Sequence, residues 1–411
     1  MTSAASRMSL LKLANAGVFV ANKTKPIHRW YPFIEGYSSD LVLWGLRMSD
    51  VEKPKILDPF GGSGTTGLTA AEKNLESWFC EVNPFMAWMA DVKINKSKLV
   101  TTDSDLTQLK NLAKRAEDGR LSGSKPKNFE SILELEKRRS FFPDGVALTI
   151  GKTLAWVDDE ITGPTRDIAR AAIAVSLVPS SAMVRRTDLR RRTARDPLPK
   201  KFEEVLASNL RMMIDDLQPN RFIWTKGARQ LADDVRTLEP VGRTRFDMII
   251  TSPPYLNGTN YCRNTKLELI YLGFIDDERG LSQFRMESIT AGINSVSNRR
   301  NTPETIAEVE KVARLLDEVA YDQRIPSLIR LYFSDMRAAL AALRASVTDN
   351  ADFLLDIGDS RFAGIHVPTD ELLGKIATSV GWRVLEVVPV RKRRSYDGTQ
   401  LRQVVLRMKA A

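Results

Sequence analysis

Two short stretches of this chain carry residue types at spacings that suit chemistry. In the first, DPFGGSGTTG at 58–67, an aspartate closes a short apolar run and a glycine-rich turn follows. Gly61, Gly62 and Gly64 allow backbone conformations and close approaches that a side chain would block. Thr65 and Thr66 then open a helix, whose free N–H groups attract a carboxylate or phosphate. The turn has neither the G-x-G-x-x-G spacing of a dinucleotide site nor the Gly-Lys-Ser/Thr of a P-loop. Glu81 closes the next strand-like run, SWFCEVNP (77–84), where an acidic residue can accept hydrogen bonds from a ribose diol. The second stretch is TSPPY at 251–255. Two prolines directly after FDMII cannot continue a central strand, so the backbone turns rigidly at the sheet's carboxyl edge. The turn offers the Ser252 hydroxyl, carbonyls without ladder partners and the aromatic face of Tyr255. That set suits a flat base bearing an amino group.

These loops need a sheet to hold them. KILDPF, the glycine turn and SWFCEVNP form the start of a βαβ unit, and a doubly wound sheet is expected. RFIWTKG (221–227), FDMIITSPPY (246–255), DFLLDIGDS (352–360), VLEVVPVR (384–391) and QVVLRMK (403–409) read as its later strands. Residues 99–218 are charged and helical in period, and form an insertion between the second and third strands. The chain thus divides into 1–98 with the first loop, 99–218 as a helical insertion, and 219–411 with the second loop. A smaller insertion occupies 256–325.

The 61 Lys and Arg against 51 Asp and Glu in 411 residues give a net charge of +10, which favours a polyanionic partner. The run 184–201 concentrates this charge, with Arg185, Arg186, Arg190, Arg191 and Arg192 as candidate phosphate contacts on a loop. RKRR (391–394) is a second such cluster. Two cysteines, Cys80 and Cys262, and two histidines make neither a disulfide framework nor a zinc site, so a reducing, cytoplasmic setting and no metal are expected. No apolar run approaches the ~20 residues that span a bilayer. Residues 1–25 read as a frayed arm or short helix.

DPFGGSGTT together with TSPPY resembles the amino-methyltransferases of DNA, the enzymes of N4-cytosine and N6-adenine modification. The likeness covers roughly 26–98 and 220–409. It implies an α/β fold, the Rossmann-like class I methyltransferase with a mainly parallel twisted sheet, and S-adenosylmethionine as cofactor. It implies double-stranded DNA as a partner, with a restriction endonuclease or another defence-system component as a second. By resemblance, Asp58, Phe60, Gly61, Gly62, Gly64 and Thr65 form the cofactor's methionine side, Glu81 holds its ribose, and Thr251 adjoins it. The run IHRWYPFIEGYSSDLV (27–42) matches a further cofactor-contacting segment, with Tyr31 and Ser38 as candidates. Ser252, Pro253, Pro254 and Tyr255 fill the catalytic motif, with the target base flipped out onto Tyr255. Serine at 252 favours cytosine N4, since adenine enzymes more often carry Asp or Asn; adenine N6 is the alternative, and a non-catalytic DNA- or cofactor-binding relative the reading from another class. In relatives the third strand closes on an aspartate facing the cofactor's adenine. TKGAR (225–229) has none, so adenine is expected to be held by backbone groups.

Overall fold

β1 (Ile56–Asp58) and β2 (Ser77–Cys80) pair in parallel, joined by the helix Thr65–Glu72. The chain then leaves the sheet, forms a small hairpin of β3 (Met183–Arg185) and β4 (Leu189–Arg191), and returns beside β2 as β5 (Ala228–Ala232). β6 (Phe246–Thr251) crosses to the other side of β1, and β7 (Val347–Gly358) adds beside it, both parallel. After a second hairpin of β8 (Ser360–Phe362) and β9 (Ile365–Val367), β10 (Trp382–Arg394) and β11 (Gln400–Ala410) close the sheet in antiparallel fashion. The order is β10-β11-β7-β6-β1-β2-β5. This is the expected α/β, Rossmann-like sheet, mainly parallel with one reversed strand, β11, next to the β10 edge. These strands belong to a computed structural model that describes residues 16–33, 35–124, 129–186, 188–218, 224–239, 244–256, 261–296, 303–394 and 398–411. Most of the expected N-terminal arm, residues 1–15, lies outside them.

The central strands are buried on both faces, which explains their nearly unbroken apolar runs: Leu57, Ile249, Ile250, Phe353 and Leu355 are at most 1% exposed. The chain runs outward from β1 to β2 and β5, then restarts at β6 on the other side. The gap between β1 and β6 is therefore the topological switch point, where ligands sit beyond the strands' carboxyl ends.

The insertion packs as helices, including Asp103–Glu117, Val146–Glu160, Gly163–Ser180 and Phe202–Asp216. Its apolar faces share one core with the sheet-side residues Phe85, Ala90 and Ile94. Asp216, fully buried, pins it to the segment before β1. It accepts from the Ile27 amide (2.9 Å), the Trp30 indole (3.0 Å) and the Arg29 guanidinium (2.6 and 3.0 Å).

Two expectations are corrected here. The third strand does not lie at 221–227: Trp224–Gly227 is irregular, residues 221–223 are outside the described residues, and the strand begins at Ala228. The buried Trp224 is instead a packing anchor whose indole donates to the Ile94 carbonyl (3.1 Å). The strand that forms is an edge strand, with Arg229 and Gln230 exposed, and so lacks the apolar run that marks a central one. The second correction concerns the first part of the basic run, to Arg191, which is a hairpin and not a free charged loop. Arg185 is mostly buried, donating to Glu268 (2.5 Å) and the Asn264 carbonyl (2.9 Å) with its guanidinium 5.5 Å from the centre of the Tyr31 ring. It is spent inside the fold and is no phosphate contact. Arg190 and Arg186 pair with the buried Asp196 carboxylate (2.7 and 3.3 Å), which Arg190 and the Thr193 amide and hydroxyl hold well below its usual range. Arg192 closes the hairpin on the Ser181 and Pro197 carbonyls (2.9 and 2.7 Å), and Arg191 reaches the carbonyls of Arg139 and Ser140.

Candidate active site

An open-mouthed cleft lies at the switch point, where ligands of such sheets bind. It brings the two sequence loops together: Pro59, Phe60 and Gly62 from the first, Ser252, Pro253 and Pro254 from the second. Gly62 has φ +50°, and a Cβ there would meet the Phe33 ring at 3.1 Å, so a side chain would strain the turn and crowd the cleft wall. Gly64, at φ +78°, caps the helix that follows, and a Cβ there would meet Ala90 at 2.9 Å.

Asp58 does not line the cleft; it is a buried tie behind it. Its carboxylate accepts from the Thr251 hydroxyl (2.6 Å), the Tyr37 hydroxyl (2.7 Å) and the Phe60 amide (3.1 Å). The Tyr37 and Thr66 hydroxyls also meet. The two loops are thus fastened to each other through one carboxylate, whose pKa burial raises and these donors pull down. Gly61, Gly64, Thr65 and Thr251 likewise shape the loops from behind. Tyr31 and Ser38, expected at the cofactor, are interior. Tyr31 donates to Glu268 (3.1 Å) and packs on Phe85, and Ser38 caps the helix Ser39–Met48 by accepting from the Asp40 amide (3.1 Å). Lys93, fully buried, holds the back of the glycine turn by donating to the Ser63 carbonyl (2.6 Å), and burial lowers its pKa to about 7.

Glu81 does face the cleft. Its carboxylate accepts from the Gly62 amide (2.7 Å) and the Asn83 amide (2.9 Å), while burial raises its pKa to about 7. Beyond it, Asp233 and Asp234 directly follow the end of β5, both in the cleft wall. The third strand therefore does close on acidic residues. The sequence conceals them because its more strand-like run begins seven residues earlier, at 221 and not 228. Asp234 is engaged by Arg236 (2.7 Å), which also grips Asp335 (2.7 Å) and the Glu287 carbonyl (2.6 Å). Asp335 in turn accepts from the Thr290 amide and hydroxyl (2.9 and 2.7 Å). This network presses residues 287–295 of the smaller insertion against the cleft, a wall with no signature in the sequence.

The charges of the lining are one-sided. Glu35, Glu81, Asp233, Asp234 and Glu287 line the cleft, and among its described residues there is no Lys, Arg or His. Glu35 accepts from the Asn264 amide at one oxygen; the other is buried without a partner. Such a cleft repels a pyrophosphate and suits a ligand that is cationic and carries a ribose. S-adenosylmethionine, with its sulfonium and ammonium groups and no phosphate, fits these residues.

Tyr255, at the end of the Pro-Pro turn, is anchored behind Ser252. Its hydroxyl donates to Asp356 (2.9 Å) on β7, accepts from Gln403 (2.8 Å) on β11, and also meets the Ser252 hydroxyl. The Arg393 guanidinium lies 5.5 Å from the centre of the Tyr255 ring. Cys80 also touches the cleft, but burial pushes its thiol up to about 12, so it holds no thiolate at neutral pH.

Known proteins bear on this site. The chain is 23% identical over 444 residues to the type II methyltransferase M.BsoBI of Geobacillus stearothermophilus, covering 93% of this chain and 84% of that one. It is 24% identical over 405 residues to the type II methyltransferase M.AvaI of a Nostoc strain, covering 90% and 82%. The similarity is to type II methyltransferases along nearly the whole chain. S-adenosylmethionine is the methyl donor that this similarity and the fold imply. No protein-family model matches the chain. Among solved structures, the rRNA methyltransferase aviRa from Streptomyces viridochromogenes aligns over 93% of this chain and 84% of that one, with a TM-score of 0.29 and 10% identity. At that level the strand order, not the superposition, carries the fold.

Proposed function

We propose that the protein is a DNA methyltransferase that moves the methyl group of S-adenosylmethionine to an exocyclic amino nitrogen, N4 of cytosine in preference to N6 of adenine. The observation that carries this is the joining of the glycine turn and the Ser-Pro-Pro-Tyr loop in one acidic cleft at the switch point. The cofactor supplies an electrophilic methyl group on a sulfonium. Glu81 accepts from the ribose, Asp233 or Asp234 from the adenine amino group, and the unpartnered oxygen of Glu35 receives the ammonium. Ser252 and the Pro253 carbonyl accept hydrogen bonds from the target amino group and orient it in line with the methyl, the positioning on which such a direct transfer depends. The base reaches them by leaving the duplex and stacking on Tyr255. No covalent enzyme intermediate is required, in keeping with the high pKa of Cys80. N6 of adenine is the alternative acceptor of the same mechanism, and a relative that binds without turnover is the alternative from another class.

Calorimetry with S-adenosylhomocysteine tests the cleft. Binding at micromolar affinity supports it; no binding sinks it. The pH dependence has an expected sign. Below pH 7 Glu81 carries a proton and loses acceptor capacity; above it the carboxylate is free to accept both ribose hydroxyls. With the pKa near 7, affinity is expected to rise roughly tenfold from pH 6 to pH 8, and the Glu81→Gln variant to lose that slope. A flat profile in the wild-type protein contradicts the assignment.

The hairpin β3–β4 is proposed as a backbone contact on DNA, narrowed to its exposed members. Arg186 is 63% exposed and Arg191 is also at the surface. Replacing both by alanine is expected to weaken all duplexes alike and to lower the salt slope by about 1 for each phosphate no longer neutralised. An unchanged slope makes the hairpin a structural element only.

A further inference from the structure

Amino-group methylation has to dispose of a proton, and the residues behind the Pro-Pro turn are arranged to take it. Ser252 lines the cleft and its hydroxyl meets the Tyr255 hydroxyl, which donates to the Asp356 carboxylate at 2.9 Å. Gln403 Nε2 fixes the direction of this chain. It lies 2.8 Å from the Tyr255 oxygen and 2.9 Å from each Asp356 oxygen; its two hydrogens are shared among its acceptors and it cannot itself accept, so the Tyr255 hydrogen points at the carboxylate. Gln403 is itself fully buried and held by the Gly17 carbonyl (2.9 Å). We propose that Asp356 is the proton acceptor of the reaction, reached from the target nitrogen through the hydroxyls of Ser252 and Tyr255.

The step balances as follows. The bond from nitrogen to the methyl carbon forms as the carbon–sulfur bond breaks, leaving a neutral thioether and a positively charged nitrogen. That nitrogen gives a proton to Ser252 Oγ, Ser252 passes its own to the Tyr255 hydroxyl, and Tyr255 passes its own to Asp356. Both hydroxyls end neutral, the product amine is neutral, and the carboxyl carries the proton until the product leaves.

The surroundings of Asp356 suit this work. The carboxylate is fully buried on β7, between the catalytic loop and β11, and burial raises its pKa to about 6. Facing it are Tyr255 from the catalytic loop, Gln403 from β11, Arg391 and Arg393 from β10, and more remotely Tyr37. The two arginines and the hydrogen bonds oppose the desolvation. The group is thus basic enough to accept a proton and acidic enough to release it at neutral pH. A catalytic motif that begins with aspartate would bring a carboxylate to the target nitrogen directly. Here serine stands in the motif, and the carboxylate lies two hydroxyls behind it.

The inference rests on the proposed methyl transfer, so the product must first be shown with the wild-type protein; absence of any methylated base would overturn both. Given turnover, single-turnover rates with saturating cofactor and DNA are measured from pH 5 to 8 for wild type, Asp356→Asn and Tyr255→Phe. Asparagine still accepts from Tyr255, and phenylalanine keeps the ring, while each breaks the proton path. The wild-type rate is expected to rise with pH through an apparent pKa of about 6. Both variants are expected to lose that limb and to fall roughly 100-fold, the usual scale of proton-transfer assistance. Cofactor and DNA affinities are expected to stay within about twofold. Variants that are slow yet keep the wild-type pH limb give Asp356 a structural role and overturn the proposal. Wild-type rates overturn it too.

Discussion

Asp58→Ala is expected to unfold more readily and to lose cofactor affinity and turnover together, because the carboxylate ties two loops rather than touching one ligand. The variant leaves the Thr251 and Tyr37 hydroxyls and the Phe60 amide without their acceptor, all in the interior. Each orphaned buried donor costs about 1–3 kcal/mol. Part of that is returned, since the buried carboxylate is itself destabilised by desolvation. A net loss of about 2–4 kcal/mol is expected. Asp58→Asn retains one acceptor oxygen, and the Tyr37 hydroxyl can turn to Thr66, so it is expected to keep most of the stability. Denaturant melts of both variants with and without S-adenosylhomocysteine check this. An alanine variant as stable as wild type that has lost only cofactor affinity would return Asp58 to a direct ligand role.

Tyr255→Ala is expected to be the most damaging change in the catalytic loop. It removes the ring on which the extruded base is proposed to stack and, with it, the hydroxyl bonded to Asp356 and Gln403. Stacking of one base on an aromatic ring is worth about 1–3 kcal/mol by alanine substitution. Turnover of Tyr255→Ala is therefore expected to lie roughly 5- to 150-fold below that of Tyr255→Phe, which keeps the ring. Comparing the two variants with each other, rather than with wild type, separates the ring from the hydroxyl. Equal rates in the two variants would show that no base stacks there.

The two loops are legible in the sequence because their chemistry is carried by backbone. Glycines at 61, 62 and 64 and prolines at 253 and 254 constrain the chain whatever surrounds them, and the cleft duly gathers Gly62, Pro253 and Pro254. Side-chain roles are harder to read. Asp58 and Tyr31 have the right type and place for a ligand contact, yet the fold gives both of them interior partners. The arginines of 185–192 read as phosphate contacts on a loop because their pairing with Glu268 and the buried Asp196 does not show in composition. Asp233 and Asp234 are hidden by an edge strand, where exposed Arg229 and Gln230 replace the apolar run that announces a central strand. Asp356 stands in an expected strand, but its tie to Tyr255 spans 101 residues and needs the sheet order to appear. For Asp58, Tyr31, Arg185 and Asp356 a deciding partner is distant in sequence.

The central claim is transfer to an exocyclic amino nitrogen, and nucleoside mass spectrometry tests it most directly. Duplex DNA is incubated with the protein and S-adenosylmethionine, digested, and its methylated nucleosides identified. The expected product is N4-methylcytosine, and it is expected to disappear with Tyr255→Ala. N6-methyladenine in its place would keep the mechanism and reverse the choice of base. 5-Methylcytosine, or normal turnover by Tyr255→Ala, would contradict direct transfer to an amino nitrogen at this loop.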